Sequence, residues 1–280
     1  MAVEVFLMVL GAALVHATWN ALLKTDGDRL SLIKLMSVTQ IGVSLCLIPF
    51  VSVPVADSWL FLLASSVLNT GYMLMLNRAY QAGDLSLVYP FARGVAPLIV
   101  AVVSIAALGE KLAATSQAAV LLIGLGITSL ALAQRPRLID LRPLAFALAT
   151  GVFIAGYTVV DGLGARVAGS AHGYMIWLSL ITSVQIVGCA HWLQNGRRAA
   201  TARRTRIAGV AAGIMSYGSS WVVIWALTLA PLALVSALRE TGVVFAVLIG
   251  VVILKEPLSL SRLASIATTL IGTTILRLGR

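Results

Sequence analysis

The side chains of this chain that could do chemistry are the few polar residues inside its long apolar runs. Arg93 and Arg239 lie in such runs, and Glu240 follows Arg239 directly. A guanidinium group binds a carboxylate or phosphate through paired hydrogen bonds. The alternative is a structural role, in which each arginine satisfies helix-end carbonyls or an acidic neighbour such as Glu240. Anion binding and structural pairing both remain open for these residues.

Polar residues also recur at helical spacing in two of the runs. His16 and Asn20 are four residues apart, with Trp19 beside them, and Lys24 continues this stripe to the end of its run. Residues at this spacing share one face of a helix. Tyr89 and Arg93 have the same spacing, and Pro97 lies four residues further on. A proline inside a helix predicts a kink there. These faces are predicted to point to protein or water rather than to lipid.

Two further runs carry amide and aromatic side chains. Asn69 and Tyr72 lie in one of them, and Tyr217, Trp221 and Trp225 form a stripe at spacing four in the other. Aromatic rings can stack on an organic or cationic solute. The stripe extends through its run instead of marking only one end, which favours a cavity wall over an interfacial belt.

Acidic residues divide into two kinds. Glu240 and Asp161 lie in or beside apolar runs and are the candidates for proton coupling, together with His16, because imidazole titrates near neutral pH. Glu110 and Glu256 lie in short turns, where a glutamate accepts hydrogen bonds from N-terminal helix amides. The turn glutamates are therefore predicted to be structural.

Composition places these residues in a membrane protein. The chain has 280 residues, of which 60% are hydrophobic and only 11% are charged, with a mean hydropathy of +1.00. Soluble proteins have about 25% charged residues. No stretch is long enough for a soluble catalytic or nucleotide-binding domain, and no nucleic-acid partner, metal site or cofactor is predicted. Cys46 and Cys189 lack the spacing of metal ligands.

The apolar runs predict an all-α integral membrane fold with ten transmembrane helices. Each run is long enough to cross a bilayer, for which about 20 residues are needed. The predicted spans are 3–23, 31–51, 58–80, 85–108, 114–133, 142–161, 172–193, 207–228, 232–254 and 259–276.

The basic residues predict the orientation of these spans. Fourteen lysines and arginines fall in or beside the loops that follow spans 1, 3, 5, 7 and 9, including the run from Arg197 to Arg206, and four fall on the other side. Basic residues accumulate on the cytoplasmic side of membrane proteins. Both termini are therefore predicted to lie outside, and a bacterial inner membrane is the predicted location.

The chain repeats itself at an offset of 146 positions. Arg93 aligns with Arg239, and the segment Leu108–Leu112 aligns with Leu254–Leu258, which places Glu110 on Glu256. The repeat predicts two five-span units, residues 1–138 and 139–280. An odd number of crossings places the second unit upside down in the membrane. Inverted repeats around a central cavity are typical of secondary transporters.

The chain resembles the drug/metabolite transporter superfamily, specifically its ten-helix EamA-type permeases. The resemblance rests on the duplicated turn Gly109–Leu112 and Lys255–Leu258 and the spans on either side of it, and it covers essentially the whole chain. It implies a cavity lined by spans 1, 3, 4, 6, 8 and 9, and transport of small metabolites such as amino acids. Members of this family are usually drawn with both termini inside, whereas the charge distribution predicts the opposite.

The predicted function is thus a secondary transporter for a small organic solute. We expect it to be an exporter that is coupled to proton movement. It would work as a monomer or homodimer. The alternative is a membrane-embedded enzyme that acts on a lipid or small molecule. The sequence favours the transporter, because the three histidines, His16, His172 and His191, are scattered and no hydrolase motif occurs.

Overall fold

The computed structural model describes residues 1–23, 29–83, 85–132, 141–193, 203–253 and 259–279, and all regular structure in these ranges is helical. Short 3-10 turns occupy Ile48–Phe50 and Ala56–Ser58. The helices are α1 (Val3–Leu23), α2 (Arg29–Leu47), α3 (Trp59–Ala82), α4 (Leu85–Ala106), α5 (Ala114–Leu132), α6 (Leu141–Val167), α7 (Ala171–Leu193), α8 (Arg203–Leu229), α9 (Leu232–Glu240), α10 (Gly242–Ile253) and α11 (Leu260–Leu278).

The described residues contain nine segments that are long and apolar enough to cross a membrane, which is compatible with a multi-pass membrane protein. They comprise α1 to α8 and the continuous segment Leu232–Val252. The tenth predicted span, α11, has 19 residues but is richer in serine and threonine. Its threonine hydroxyls, such as those of Thr269 and Thr273, donate to carbonyls one turn earlier at 2.9 and 2.8 Å. These bonds satisfy the hydroxyl groups within the helix itself.

Two predicted spans differ from the structure in more than a shift of a few residues at their ends. The predicted span 232–254 is interrupted at Thr241, whose hydroxyl donates to the Leu238 carbonyl at 2.6 Å. The predicted span 142–161 continues as α6 to Val167. The predicted span ends early because Asp161 and the glycines after it make the sequence less apolar there. Those glycines instead allow close packing, since a Cβ on Gly164 would lie 2.6 Å from that of Phe61.

The helices pack in a bundle in which one buried apolar cluster lies mainly along α1, α5, α8 and α9. The main helix pairs are α3 with α6, α1 with α8, α5 with α11, α4 with α5 and α6, and α2 with α7. Glycine permits the close crossings. A Cβ on Gly151 of α6 would lie 3.0 Å from the Ala92 carbonyl oxygen of α4. Small residues at interfaces allow this approach in membrane bundles.

Four connections meet at one end of the bundle, which we call the terminal face because α1 begins and α11 ends there. These are 48–58, 107–113, 168–170 and 230–231. Gly109 and Gly169 adopt positive φ angles of 67° and 77° in two of these turns. At the opposite face α1, α3, α5, α7 and α10 end and α2, α4, α6, α8 and α11 begin. Lys24, the turn Lys255–Leu258 with Glu256, most of the basic run and the predicted unit boundary at 138 lie outside the described residues.

Candidate functional site

Two arginines share one buried glutamate in the middle of the bundle. Glu240, the last residue of α9, is 1% exposed. Arg93 of α4 donates from Nη1 to Oε2 of Glu240 at 3.0 Å and to Oε1 at 3.3 Å. Arg239 donates from Nε and Nη2 to Oε1 of Glu240 at 3.0 and 2.8 Å. The single carboxylate therefore lies between two guanidinium groups, and this trio has a net charge of +1.

His16 joins this cluster from α1. Its Nε2 lies 2.8 Å from Nη2 of Arg93. An arginine has only hydrogen-bond donors, so Nε2 must accept and the imidazole proton must lie on Nδ1. His16 is thus neutral in this arrangement. The His16 ring also contacts Trp19 edge to face, with centroids 4.8 Å apart.

Aromatic rings and a hydroxyl hold the two guanidinium groups in place. The Cζ atom of Arg93 lies 5.3 Å from the ring centre of Tyr89, and that of Arg239 lies 5.6 Å from the ring centre of Tyr157. Arg239 also donates from Nη2 to Oγ1 of Thr158 on α6 at 3.4 Å. The two distances from arginine Cζ to ring centre fit cation–π contacts. The arginines are therefore fixed by α4, α6 and α9 together.

A cavity of about 900 Å³ lies beside this cluster. Arg93 and Arg239 line it, whereas Glu240 lies behind them and is not part of its wall. The wall includes the C-terminal halves of α1 and α3 and the N-terminal halves of α2 and α4, and it reaches Arg262 in the first turn of α11. The wall also includes Asp161 of α6, Met175 of α7 and Leu227 of α8, which lie toward the terminal face, so the cavity runs along most of the length of the bundle.

The structure brings most of the predicted binding residues to this cavity. Of the ten predicted substrate-binding residues, eight line it: His16, Trp19, Asn20, Asn69, Tyr72, Tyr89, Arg93 and Arg239. Asp161, a proton-coupling candidate, lines it as well and is 6% exposed. The wall also includes residues of α2 and α7, which the family resemblance does not place there.

The aromatic stripe of α8 lies elsewhere, so its prediction as a cavity wall needs correction. The Tyr217 hydroxyl accepts a hydrogen bond from Ser44 of α2 at 3.4 Å, and Trp221 donates to Nδ1 of His172 at 2.7 Å. The cavity is lined instead by Ser216 and Ser220 of the same helix. Adjacent residues of a helix differ in direction by about 100°. Tyr217 and Trp221 therefore pack against α2 and α7.

Sequence reasoning missed Tyr157 and Thr158, which line the cavity and contact Arg239. Tyr157 and Asp161 are four residues apart, the same spacing that drew attention to α1 and α4. That spacing was the available signal. Within the described residues, no group of three or more His, Cys, Asp or Glu side chains is placed to hold a metal ion.

A second charged cluster lies at the terminal face. Arg166, in the last turn of α6, donates to Oε1 of Glu110 at 3.2 Å and to the carbonyls of Leu227 and Ala230 at 3.0 Å. Glu110 in turn accepts from the backbone amide of Leu232 at 3.0 Å. The prediction that Glu110 accepts an N-terminal helix amide is confirmed. This cluster joins the turn 107–113 to the ends of α6, α8 and α9.

Comparison with known proteins bears on the fold. No family model and no curated protein matches the chain. One solved structure, described only as the crystal structure of a protein, aligns with a TM-score of 0.78 over 99% of this chain and 99% of its own. The sequence identity is 19%, so this similarity shows a common fold alone.

Proposed function

We propose that this protein is a secondary transporter of the EamA type. It moves a small organic metabolite with an anionic group, such as an amino acid or a related compound, across a bacterial inner membrane. The observation that carries the proposal is the central cavity with two arginines on its wall that share a single glutamate. Its volume of about 900 Å³ is within the range of small-molecule sites, about 300–1,000 Å³.

The charges of the cluster support an anionic solute. Arg93 and Arg239 face the cavity, and only one of their two charges is balanced by Glu240. Because His16 is neutral, it adds no further charge. A buried unbalanced charge is costly. A solute carboxylate between the arginines lowers that cost and forms charge-assisted hydrogen bonds.

Two inverted five-helix units are part of the proposal, and helix packing supports them. If spans 1–5 are exchanged with spans 6–10, the pair α1 with α8 becomes α6 with α3, and both pairs are packed. Contacts of α1 with α9 and α10 likewise become those of α6 with α4. The exchange leaves the pairs α2 with α7 and α5 with α11 unchanged, because it swaps the two helices within each pair. Arg93 and Arg239 are equivalent positions in this scheme.

The proposed orientation follows from the charge distribution, with both termini outside and the opposite face in the cytoplasm. In this proposal the cluster of Glu110 and Arg166 closes the terminal face, and the cavity reaches the opposite face at Ala21 and Arg262. This arrangement suits an exporter that is ready to load solute from the cytoplasm. All components of the cavity come from one chain, so a monomer is sufficient, and a homodimer is compatible with it.

Glu240 links the cavity to the proposed proton coupling. When a solute carboxylate binds to the arginines, it competes with the Glu240 carboxylate for the same donors. Glu240 then loses part of its ionic stabilisation. Asp161 is the second carboxylate that could exchange a proton with the cavity. Coupled movement of solute and proton requires such competition.

The test is a ligand screen followed by flux measurement. We would record the melting temperature of the purified protein with amino acids, organic acids, polyamines and aromatic cations, since a ligand of the folded state raises it. Anionic or zwitterionic compounds are expected to stabilise the wild type. Arg93→Lys should lose that stabilisation while Arg203→Ala, which removes an exposed charge, should retain it.

Counterflow in proteoliposomes distinguishes the possible functions. A carrier shows saturable uptake that preloaded unlabelled solute accelerates. Conversion of the labelled solute to a product would instead favour the membrane-embedded enzyme. Non-saturable flux without counterflow, or stabilisation that persists in Arg93→Lys, would contradict the proposal.

A further inference from the structure

Asp161 is a buried carboxylate on the cavity wall. It lies on α6, is 6% exposed and faces the same space as the two arginines. Ionisable groups at this depth of a membrane protein are costly and are usually paired. Its surroundings therefore decide its function.

The described part of the chain offers Asp161 hydrogen bonds but no ion pair. The Tyr174 hydroxyl of α7 donates to its Oδ1 at 3.3 Å. The ion pairs between described residues involve Glu110 and Glu240, and none of them includes Asp161. The Ser65 hydroxyl is a second neutral partner, and Arg239 acts on Asp161 only from beyond ion-pair distance. Neutral hydroxyls do not replace a positive charge in direct contact. A cation that enters the cavity would supply it.

The position of Asp161 relative to the arginines limits what that cation is. Thr158, one helical turn before Asp161, accepts a hydrogen bond from Arg239. Three residues of helix correspond to a rise of about 4.5 Å. Asn69 of α3 adds another polar side chain to the wall. The cavity therefore has donors for an anion beside an acceptor for a cation, separated by about one helical turn.

We propose that Asp161 is the counter-ion for a protonated amine of the solute. The site then selects zwitterions whose amine and acid groups are a few atoms apart over simple organic acids. This inference rests on the proposed function, because it assigns a second subsite in the same cavity. An ammonium group suits the position since it has three donors and no acceptor.

The experiment compares matched probes on the wild type. Each standard amino acid that stabilises the protein is titrated beside its deaminated acid and its decarboxylated amine, for example leucine, 4-methylpentanoate and 3-methylbutylamine. A charge-assisted hydrogen bond corresponds to about ten- to a hundredfold in affinity. The amino acid should bind tighter than the deaminated acid by that factor. Equal affinities in the wild type would overturn the inference without any variant.

Asp161→Asn then tests the residue itself. The variant should bind the deaminated acid as the wild type does, and its preference for the amino acid should fall to about onefold. Asp57→Asn is the matched control, because it removes an exposed carboxylate at the terminal face. Equal weakening of the amino acid and the acid would indicate a structural role and overturn the proposal, as would an unchanged preference.

The two proposals fail in different ways. If organic acids bind and are transported but no amino acid binds tighter than its deaminated acid, the amine subsite is wrong and the transporter remains. If no probe binds and no flux is found, the proposed function fails and the amine subsite fails with it.

Discussion

Removal of the Glu240 carboxylate should destabilise the protein more than removal of either arginine. Glu240→Ala leaves Arg93 and Arg239 without an anionic partner while both remain largely buried. Breaking a buried pair in this way costs about 3–5 kcal/mol. At about 2–4 °C per kcal/mol for a chain of this size, the melting temperature should fall by about 6–20 °C. Arg239→Ala should cost less, because Glu240 keeps its bonds to Arg93.

A small carboxylate should rescue the Glu240→Ala variant. The arginines line the cavity, so acetate can reach the space that the side chain vacates. At a concentration one hundred times its dissociation constant, acetate would return about 2.7 kcal/mol. The assay is the melting temperature of the detergent-purified protein at increasing sodium acetate, with sodium chloride at the same ionic strength as reference.

Glu4→Ala is the control, since it removes an exposed carboxylate. It should melt near the wild-type temperature and should respond to acetate no more than the wild type does. The reasoning is refuted if Glu240→Ala melts within 1–2 °C of the wild type. It is also refuted if acetate stabilises the wild type and the variant equally, because acetate must compete with Glu240 for the arginines in the wild type only.

Three further variants test the packing and the closed face. Glu110→Gln weakens the ion pair with Arg166. It should therefore increase the labelling, by an impermeant thiol reagent added at the terminal face, of a cysteine that replaces Ser220. Unchanged labelling would show that this cluster does not close the cavity. Gly94→Ala should lower the free energy of unfolding by about 1–3 kcal/mol, because its Cβ would lie 2.6 Å from the Thr128 backbone nitrogen. Gly218→Ala is the control and should leave the melting temperature unchanged, since nothing lies within 4 Å of its Cβ. Trp221→Phe should lower the free energy of unfolding by about 1 kcal/mol, because it removes the hydrogen bond to His172. Its solute affinity, measured by titration, should be unchanged. A loss of affinity would indicate that the aromatic stripe lines the cavity after all.

Hydrophobicity and helical spacing were sufficient to predict much of this fold. Long apolar runs locate α1 to α8 to within a few residues, apart from the extension of α6, because lipid requires continuous hydrogen-bonded helices. Spacing of four places His16 and Asn20 together, and both line the cavity. The scarcity of charge made Arg93 and Arg239 conspicuous. These predictions depend on local sequence alone.

Other features depend on packing between distant segments. Sequence named Glu240 as a partner for one arginine, but the sharing of its carboxylate by both requires α4 and α9 to meet. The direction of the α8 stripe depends on which face α2 and α7 cover. Tyr157 joins the site only because α6 crosses beside α9. Helical spacing identifies residues that share a face and leaves open what that face contacts.

The measurement that tests the central claim most directly is the accessibility of the cavity from each side of the membrane. A single cysteine replaces Ser220, which lines the cavity, in a protein whose Cys46 and Cys189 are changed to serine, and it is labelled in proteoliposomes with an impermeant reagent added to one side at a time. A transporter with alternating access predicts labelling from both sides, in proportions that a bound solute changes. Labelling from one side only, with no effect of any solute that binds, would contradict the account.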